Sequence, residues 1–147
     1  MAKPRNCTYI GMTCFHWACL EGHSNIASLF FENTINLKID LNLKDNTFLW
    51  TGFHFACYYG KTSIVDMMLT HWKALGIDLT ATDELGRTGF HLAQEEELNF
   101  VTSLIKRKMP SIATKQNIRS ASEIHHINQS VACQMSMYYP NVRKLNF

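Results

Sequence analysis

Four residues near the start of the chain, Cys14, His16, Cys19 and His23, carry thiol and imidazole groups at spacings that a zinc site could use. The His-x-x-Cys pair returns as His54 and Cys57, with no second ligand pair beside it. On a helix, positions 14 and 19 point in different directions, because residues three or four apart are the ones that share a face. The pattern therefore reads as packing thiols and a capping histidine. A Cys–His nucleophile would need a third, orienting group, and none is suggested. The seven glycines stand singly, so no Gly-rich phosphate loop is present. No catalytic residue, metal or cofactor is expected on these grounds. Glu95, Glu96 and Glu97 read as the solvated end of a short helix. Lys106, Arg107 and Lys108 read as cations complementing the dipole in a helix's last turn, with a nuclear import signal as the alternative.

These residues recur because the chain repeats. Thr13 to Gly22, Thr51 to Gly60 and Thr88 to Glu97 align without gaps, at spacings of 38 and 37 residues, and share the block Thr-x-Phe-His-x-Ala. Thr13, Thr51 and Thr88 are placed to cap short helices, each hydroxyl accepting from a backbone N–H two or three residues on. His16, His54 and His91 then take the third helical position, from which the ring can reach back to the cap or across to the next unit. Phe15, Phe53 and Phe90 share a face with Ala18, Ala56 and Ala93, large residue filling core and small residue admitting a second helix. Gly22 and Gly60 close the first helix in the left-handed conformation. A second helix is expected from near Ser24, Thr62 and Asn99, with apolar sets Ile26, Leu29, Phe30, then Ile64, Met67, Met68, then Val101, Leu104, Ile105.

The block, with Asp40-Leu41-Asn42-Leu43-Lys44-Asp45 and Asp78-Leu79-Thr80-Ala81-Thr82-Asp83 between units, resembles the ankyrin repeat over roughly residues 11–105. The resemblance implies an all-α solenoid of helix-turn-helix units joined by hairpin loops. It also implies a non-enzymatic protein-interaction module that binds its partner on a concave face. The residues that the pattern leaves variable on the first helices map to Trp17, Leu20 and Glu21, to Phe55, Tyr58 and Tyr59, and to Leu92, Glu95 and Glu96. Aromatic residues there suit a recognition surface, since they bury large area at little entropic cost. Hairpin-tip residues Lys44, Asp45, Asn46 and Phe48, with Asp83, Glu84 and Leu85, would add side contacts.

Departures from the pattern carry expectations of their own. Cys14, Gly52 and Gly89 stand where the family has proline, which forfeits a pre-set φ and adds a small entropic cost at the glycines. Each unit is about one helical turn longer than the usual length of roughly 33 residues, as in units of invertebrate type, so the second helix should be extended. The stretch from Asn46 to Trp50 has one residue more than its counterpart and no glycine, so that turn should be wider. Glu97 replaces the glycine of the third unit, marking a polar terminal cap or a decaying repeat.

With 147 residues the chain has room for about one domain. Its organisation is expected to be a lead-in at 1–10, units at about 11–48, 49–85 and 86–108, and a basic tail at 109–147, partly disordered or a degenerate fourth unit. The net charge of +2 conceals an asymmetry: residues 1–105 hold seven Lys/Arg against eleven Asp/Glu, and residues 106–147 seven against Glu123 alone. The tail could fold back on the acidic body or bind an anionic partner, nucleic acid or a membrane surface. The uncharged run after Lys3 and Arg5 is too interrupted by polar residues for a signal peptide, and no run is long and apolar enough for a membrane span. An odd count of five cysteines fits reduced thiols in cytosol or nucleus. A monomer is expected, with end-to-end association as the alternative, as is the reading that the chain is a piece of a longer array.

Overall fold

The computed structural model of the chain describes residues 11–113. The lead-in at 1–10, the tail from residue 114 onward and the fourth-unit echo at Ser122-Glu123-Ile124-His125 lie outside the described residues. Seven helices and no strand are present among the described residues. They are α1 Cys14–Glu21, α2 Ser24–Leu37, α3 Gly52–Tyr58, α4 Thr62–Leu75, α5 Gly89–Glu95, α6 Asn99–Lys108 and α7 Pro110–Ala113. Within each unit the first helix packs on the second. Across units, α3 lies against both α1 and α5, and α4 against both α2 and α6. The result is two layers, short first helices in one and longer second helices in the other.

Local chemistry sets the helix limits. The N-caps Thr13, Thr51 and Thr88 are extended, with φ near −90°, and Gly22 ends α1 at φ 80°. Both α2 and α4 run for 14 residues, so the extra length of the unit is indeed spent on the second helix. Ser24, Thr62 and Asn99 are the first helical residues, not the caps. His23, Lys61 and Leu98 occupy the cap positions and make no side-chain cap bond, because the tight turns before them use backbone bonds such as Ser24 N–H to the Gly22 carbonyl.

The third unit extends beyond its expected end at 108. Met109 breaks the second helix because it precedes Pro110, which disfavours the helical region for its neighbour. The chain then resumes as α7 and buries Ile112. This short helix packs on α6.

Packing between units is closest at two glycines. A Cβ on Gly52 would lie 2.5 Å from Phe15 Cε1 and 3.0 Å from Cys19 Sγ; one on Gly89 would lie 2.8 Å from Phe53 Cδ1 and 3.0 Å from Cys57 Sγ. Each glycine is therefore a socket for the phenylalanine and cysteine of the preceding unit, a packing role that outweighs the entropic cost expected of it. Phe15 is held in turn by edge contacts to Phe30 and Phe31, with ring centroids 5.5 and 5.8 Å away.

Among the described residues, three that are not glycine adopt left-handed backbone: Lys38 (φ 51°), Leu49 (φ 56°) and Glu97 (φ 55°). Each aligns with a glycine of another unit that has the same conformation, respectively Gly76 (φ 64°), Gly86 (φ 77°) and Gly60 (φ 67°). The repeat thus keeps the bend even where a unit has lost the residue that makes it cheap.

Candidate functional site

The three histidines are consumed by architecture. The backbone N–H of Thr13 donates to His16 Nδ1 at 2.9 Å, that of Thr51 to His54 Nδ1 at 3.1 Å and that of Thr88 to His91 Nδ1 at 3.1 Å. A backbone N–H can only donate, so Nδ1 is the acceptor and, in the neutral ring, Nε2 carries the proton. His16 Nε2–H then donates to the Leu43 carbonyl at 2.7 Å and His54 Nε2–H to the Arg87 carbonyl at 3.0 Å. Each ring therefore closes its own helix cap, and those of His16 and His54 also tie their helices to the loop leading to the next unit. Burial favours the neutral form, lowering the pKa of His16 and taking that of His54 to about 4, against the opposing pull of the Arg87 carbonyl and of Asp83.

Asp45 and Asp83, expected at exposed tips, are buried and organise the loops. Asp45 accepts from the backbone N–H groups of Thr47, Phe48 and Trp50 at 3.0, 3.2 and 2.7 Å. Asp83 accepts from those of Leu85 and Arg87 at 2.9 and 2.8 Å, from Arg87 Nε at 2.9 Å and from Trp50 Nε1 at 3.1 Å. Arg87 passes the charge on, its Nη1 reaching Glu95 Oε2 at 2.9 Å. The indole of Trp50 lies parallel to His54, and its ring is 5.2 Å from Phe55, 5.0 Å from Tyr58 and 5.0 Å from Phe48. Neither Trp50 nor Arg87 stood out in sequence. The one available signal was their shared place just before the cap threonine.

That cluster corrects the expected recognition face. Leu20, Phe48, Phe55, Tyr58, Tyr59 and Leu92 are buried, not displayed. Tyr58 and Tyr59 meet edge to face at 5.1 Å, and burial raises both phenols well above the usual range. The physical reason is the side-by-side packing of the first helices. Side chains between α1, α3 and α5 fill the seams, and Trp50 closes the space above them. What remains toward solvent in these rows is one indole and two carboxylates: Trp17 and Glu96 are half-buried and Glu21 is exposed, while Glu95 is mostly buried in its ion pair with Arg87. Glu21 and Glu96 take the place of Tyr59 in the units on either side, and after burial and Tyr58 their charges raise its phenol further. The Lys61 side chain packs against Gly22, where the charge of Glu21 bears on its amine.

Lys44 and Asn46 are exposed at the loop as expected, but Lys44 Nζ is already engaged by the Thr82 carbonyl at 2.6 Å. Cys14 is exposed while Cys19 and Cys57 are buried, where desolvation pushes both thiols well above the ordinary range. The two buried thiols thus sit in the glycine sockets as unreactive packing groups.

The family model of the ankyrin repeat matches residues 10–46. That span has the sequence pattern of an ankyrin repeat. The matched span holds the cap Thr13, the bridging His16, the turn Gly22 and the whole of α2, so it is the first unit that is similar to an ankyrin repeat. No curated protein matches the chain. Ankyrin repeats serve in general as protein-interaction modules, and no helix among the described residues is long and apolar enough to cross a membrane.

Proposed function

We propose that this chain is a non-enzymatic interaction module that takes a protein partner across the face formed by α1, α3 and α5. The observation that carries this reading is that Glu21, Tyr59 and Glu96 hold the same position of the three units, at the ends of first helices packed side by side, with the central residue buried and the outer two reaching solvent. It puts a carboxylate on either side of the buried ring. Trp17, Glu21 and Glu96, with Lys44 and Asn46 at the loop, form the contact set, and Glu95 backs it through its ion pair with Arg87. Leu20, Phe48, Phe55, Tyr58, Tyr59 and Leu92 support it from beneath. An acidic rim over a stiff aromatic floor favours a partner with a basic segment, with the charges steering encounter and Trp17 supplying apolar area. A cytosolic or nuclear location fits this role and the reduced thiols.

The test is capture of a partner from extract on immobilised protein, comparing wild type with the double variant Glu21→Lys/Glu96→Lys. These positions are chosen because substitution of Tyr58 or Tyr59 would disturb the core. Loss of the captured band, with an unchanged melting curve, supports the reading. A partner retained equally by both proteins sinks it.

A further inference from the structure

One stripe of the second helix meets different surroundings from unit to unit. Ile26, Leu29 and Leu37 of α2 align with Ile64, Met67 and Leu75 of α4, and with Val101, Leu104 and Ile112 of the third unit. The third unit buries all three, and the second buries Ile64 and packs Met67 and Leu75 partly against the core. Their cover is the second helix of the unit before, α4 on α6 and α2 on α4. In the first unit the stripe is exposed, Ile26 by 43%, Leu29 by 57% and Leu37 by 68%. Charge is scarce there too: Glu32 is the one ionisable residue of α2, whereas α4 and α6 hold three each. An outward helix face that is apolar and nearly uncharged has the composition of an interface core.

The chain itself supplies a matching segment. Residues 122–137, outside the described residues, place Ile124, Ile127, Val131 and Met135 at spacings of three, four and four, one face of a helix. Ile26, Leu29, Asn33 and Leu37 have the same spacings. The segment holds one carboxylate, Glu123, and no Lys or Arg. Ile112 takes the place of Leu75, on the side of the third unit that faces the second, and the chain leaves α7 at Ala113. Nine Cα steps lead from there to Ser122, a reach of about 30 Å. With packed helices about 8–10 Å apart, a helix laid on α2 lies about 24–30 Å from α6, so the connection suffices.

We propose that residues 122–137 dock on the stripe of Ile26, Leu29 and Leu37 of the same chain, as an amphipathic helix antiparallel to α2. They take the place that a preceding second helix has in the other two units. As copies of one unit, the second helices run the same way, so α7 lies at the end of the stack where α2 finishes. A segment arriving there sets Ile124 near Leu37, Ile127 near Asn33, Val131 near Leu29 and Met135 near Ile26. Glu123 then falls beside Lys38, the exposed C-cap residue of α2, a pair that fixes direction more than it adds stability. The polar residue of the stripe, Asn33, already donates its amide to the Leu29 carbonyl at 2.7 Å. The other end of the stack is a poorer match. Phe100 is exposed there, but so are Gln94 and Lys106, at positions where the first two units bury Cys19 and Cys57, and Phe31 and Leu69. The contact leaves the α1–α3–α5 face free, so it stands independently of the function proposed for that face.

The experiment is hydrogen exchange of the full chain, read by mass spectrometry of its peptides, for wild type, Leu29→Glu and Leu37→Glu at two dilutions. Wild-type amides of 122–137 are expected to exchange at least about tenfold more slowly than those of a synthetic peptide of the same residues. Either substitution should bring the two rates together. The peptides of α3 to α6 report folding and should not change, since the substituted side chains are exposed. The proposal is overturned by a wild type whose residues 122–137 exchange like the free peptide. Protection that both variants retain, or that is lost instead on Phe100→Ser, overturns it as well. Protection that falls on dilution would put a second copy on the stripe and equally overturns a contact within one chain.

Discussion

Trp50 Nε1 donates to Asp83 Oδ2 at 3.1 Å, a bond that runs from the loop before the second unit to the loop before the third. It joins the two loops that the histidines hold from the other side. Trp50→Phe keeps most of the ring contacts and removes this donor alone, leaving a buried carboxylate with three of its four donors. The expected cost is about 1–3 kcal/mol, the usual range for a buried polar group deprived of a partner. Trp50→Ala should cost about 3–5 kcal/mol, since it also empties the space between Phe48, Phe55 and Tyr58. Urea denaturation measures both. A Trp50→Phe protein as stable as wild type would show that the indole bond adds nothing to the ring packing.

Much of this architecture is legible before any coordinates. The caps Thr13, Thr51 and Thr88, the position of each histidine and the lengthening of α2 and α4 follow from local spacing, and local hydrogen bonding is what the backbone uses to start and stop a helix. The exposure of Tyr58, Tyr59 and Phe55 is another matter. Their positions are variable ones in the repeat, but a large ring beside the gap between first helices is drawn into it, and Trp50, just before the cap Thr51, completes the enclosure. Asp45 and Asp83 were misjudged for a related reason. An aspartate in a loop looks solvated until one counts the backbone N–H groups that the turn leaves without partners. The glycines at 52 and 89 mislead in the opposite sense, because propensity registers their cost and cannot register the phenylalanine lodged against them.

Gly52→Ala and Gly89→Ala test that last point. At the first position of a helix alanine is ordinarily the better residue. Here the added methyl meets Phe15 at 2.5 Å in one case and Phe53 at 2.8 Å in the other, both rings being buried. Overpacking of this kind typically costs about 1–3 kcal/mol. The larger loss is expected at Gly52, where the approach is closer. Melting temperatures that rise on either substitution would show that the socket has room to relax.

Lys38 and Glu97 invite the reverse change. Both are exposed and both hold left-handed backbone that Gly76 and Gly60 supply elsewhere. The left-handed region costs a non-glycine residue about 1–2 kcal/mol, and glycine returns part of that through the entropy of its unfolded state. Lys38→Gly and Glu97→Gly should therefore each stabilise the chain by about 0.5–1 kcal/mol. The sites lie in different units, so the double variant should show close to the sum. Denaturation midpoints settle the matter, and a loss of stability at both sites would mean that the side chains contribute more than their backbone strain costs.

The histidine bridges make stability depend on pH in a definite direction. His54 titrates at about 4 in the folded chain against 6.5 when unfolded, chiefly because burial penalises the charged ring. Between those values the unfolded state binds more protons, so stability is fully present above pH 6.5 and falls as pH drops toward 4. A shift of this size corresponds to roughly 3 kcal/mol at its limit. His16, also lowered by burial, acts in the same direction. Asp45 opposes them, because burial raises its pKa and the folded state then holds its proton more readily in the acid range. The net expectation is a decline that begins below pH 6.5 and flattens as Asp45 titrates. Protonation puts a hydrogen on Nδ1, facing the Thr51 N–H that donates to it, so the cap of α3 should open with the charge. Urea midpoints at several pH values for wild type and His54→Gln provide the check. The variant will be weaker at neutral pH, having lost the bridge, but its midpoint should vary less between pH 6.5 and 4. Parallel pH profiles for the two proteins would remove His54 from the account.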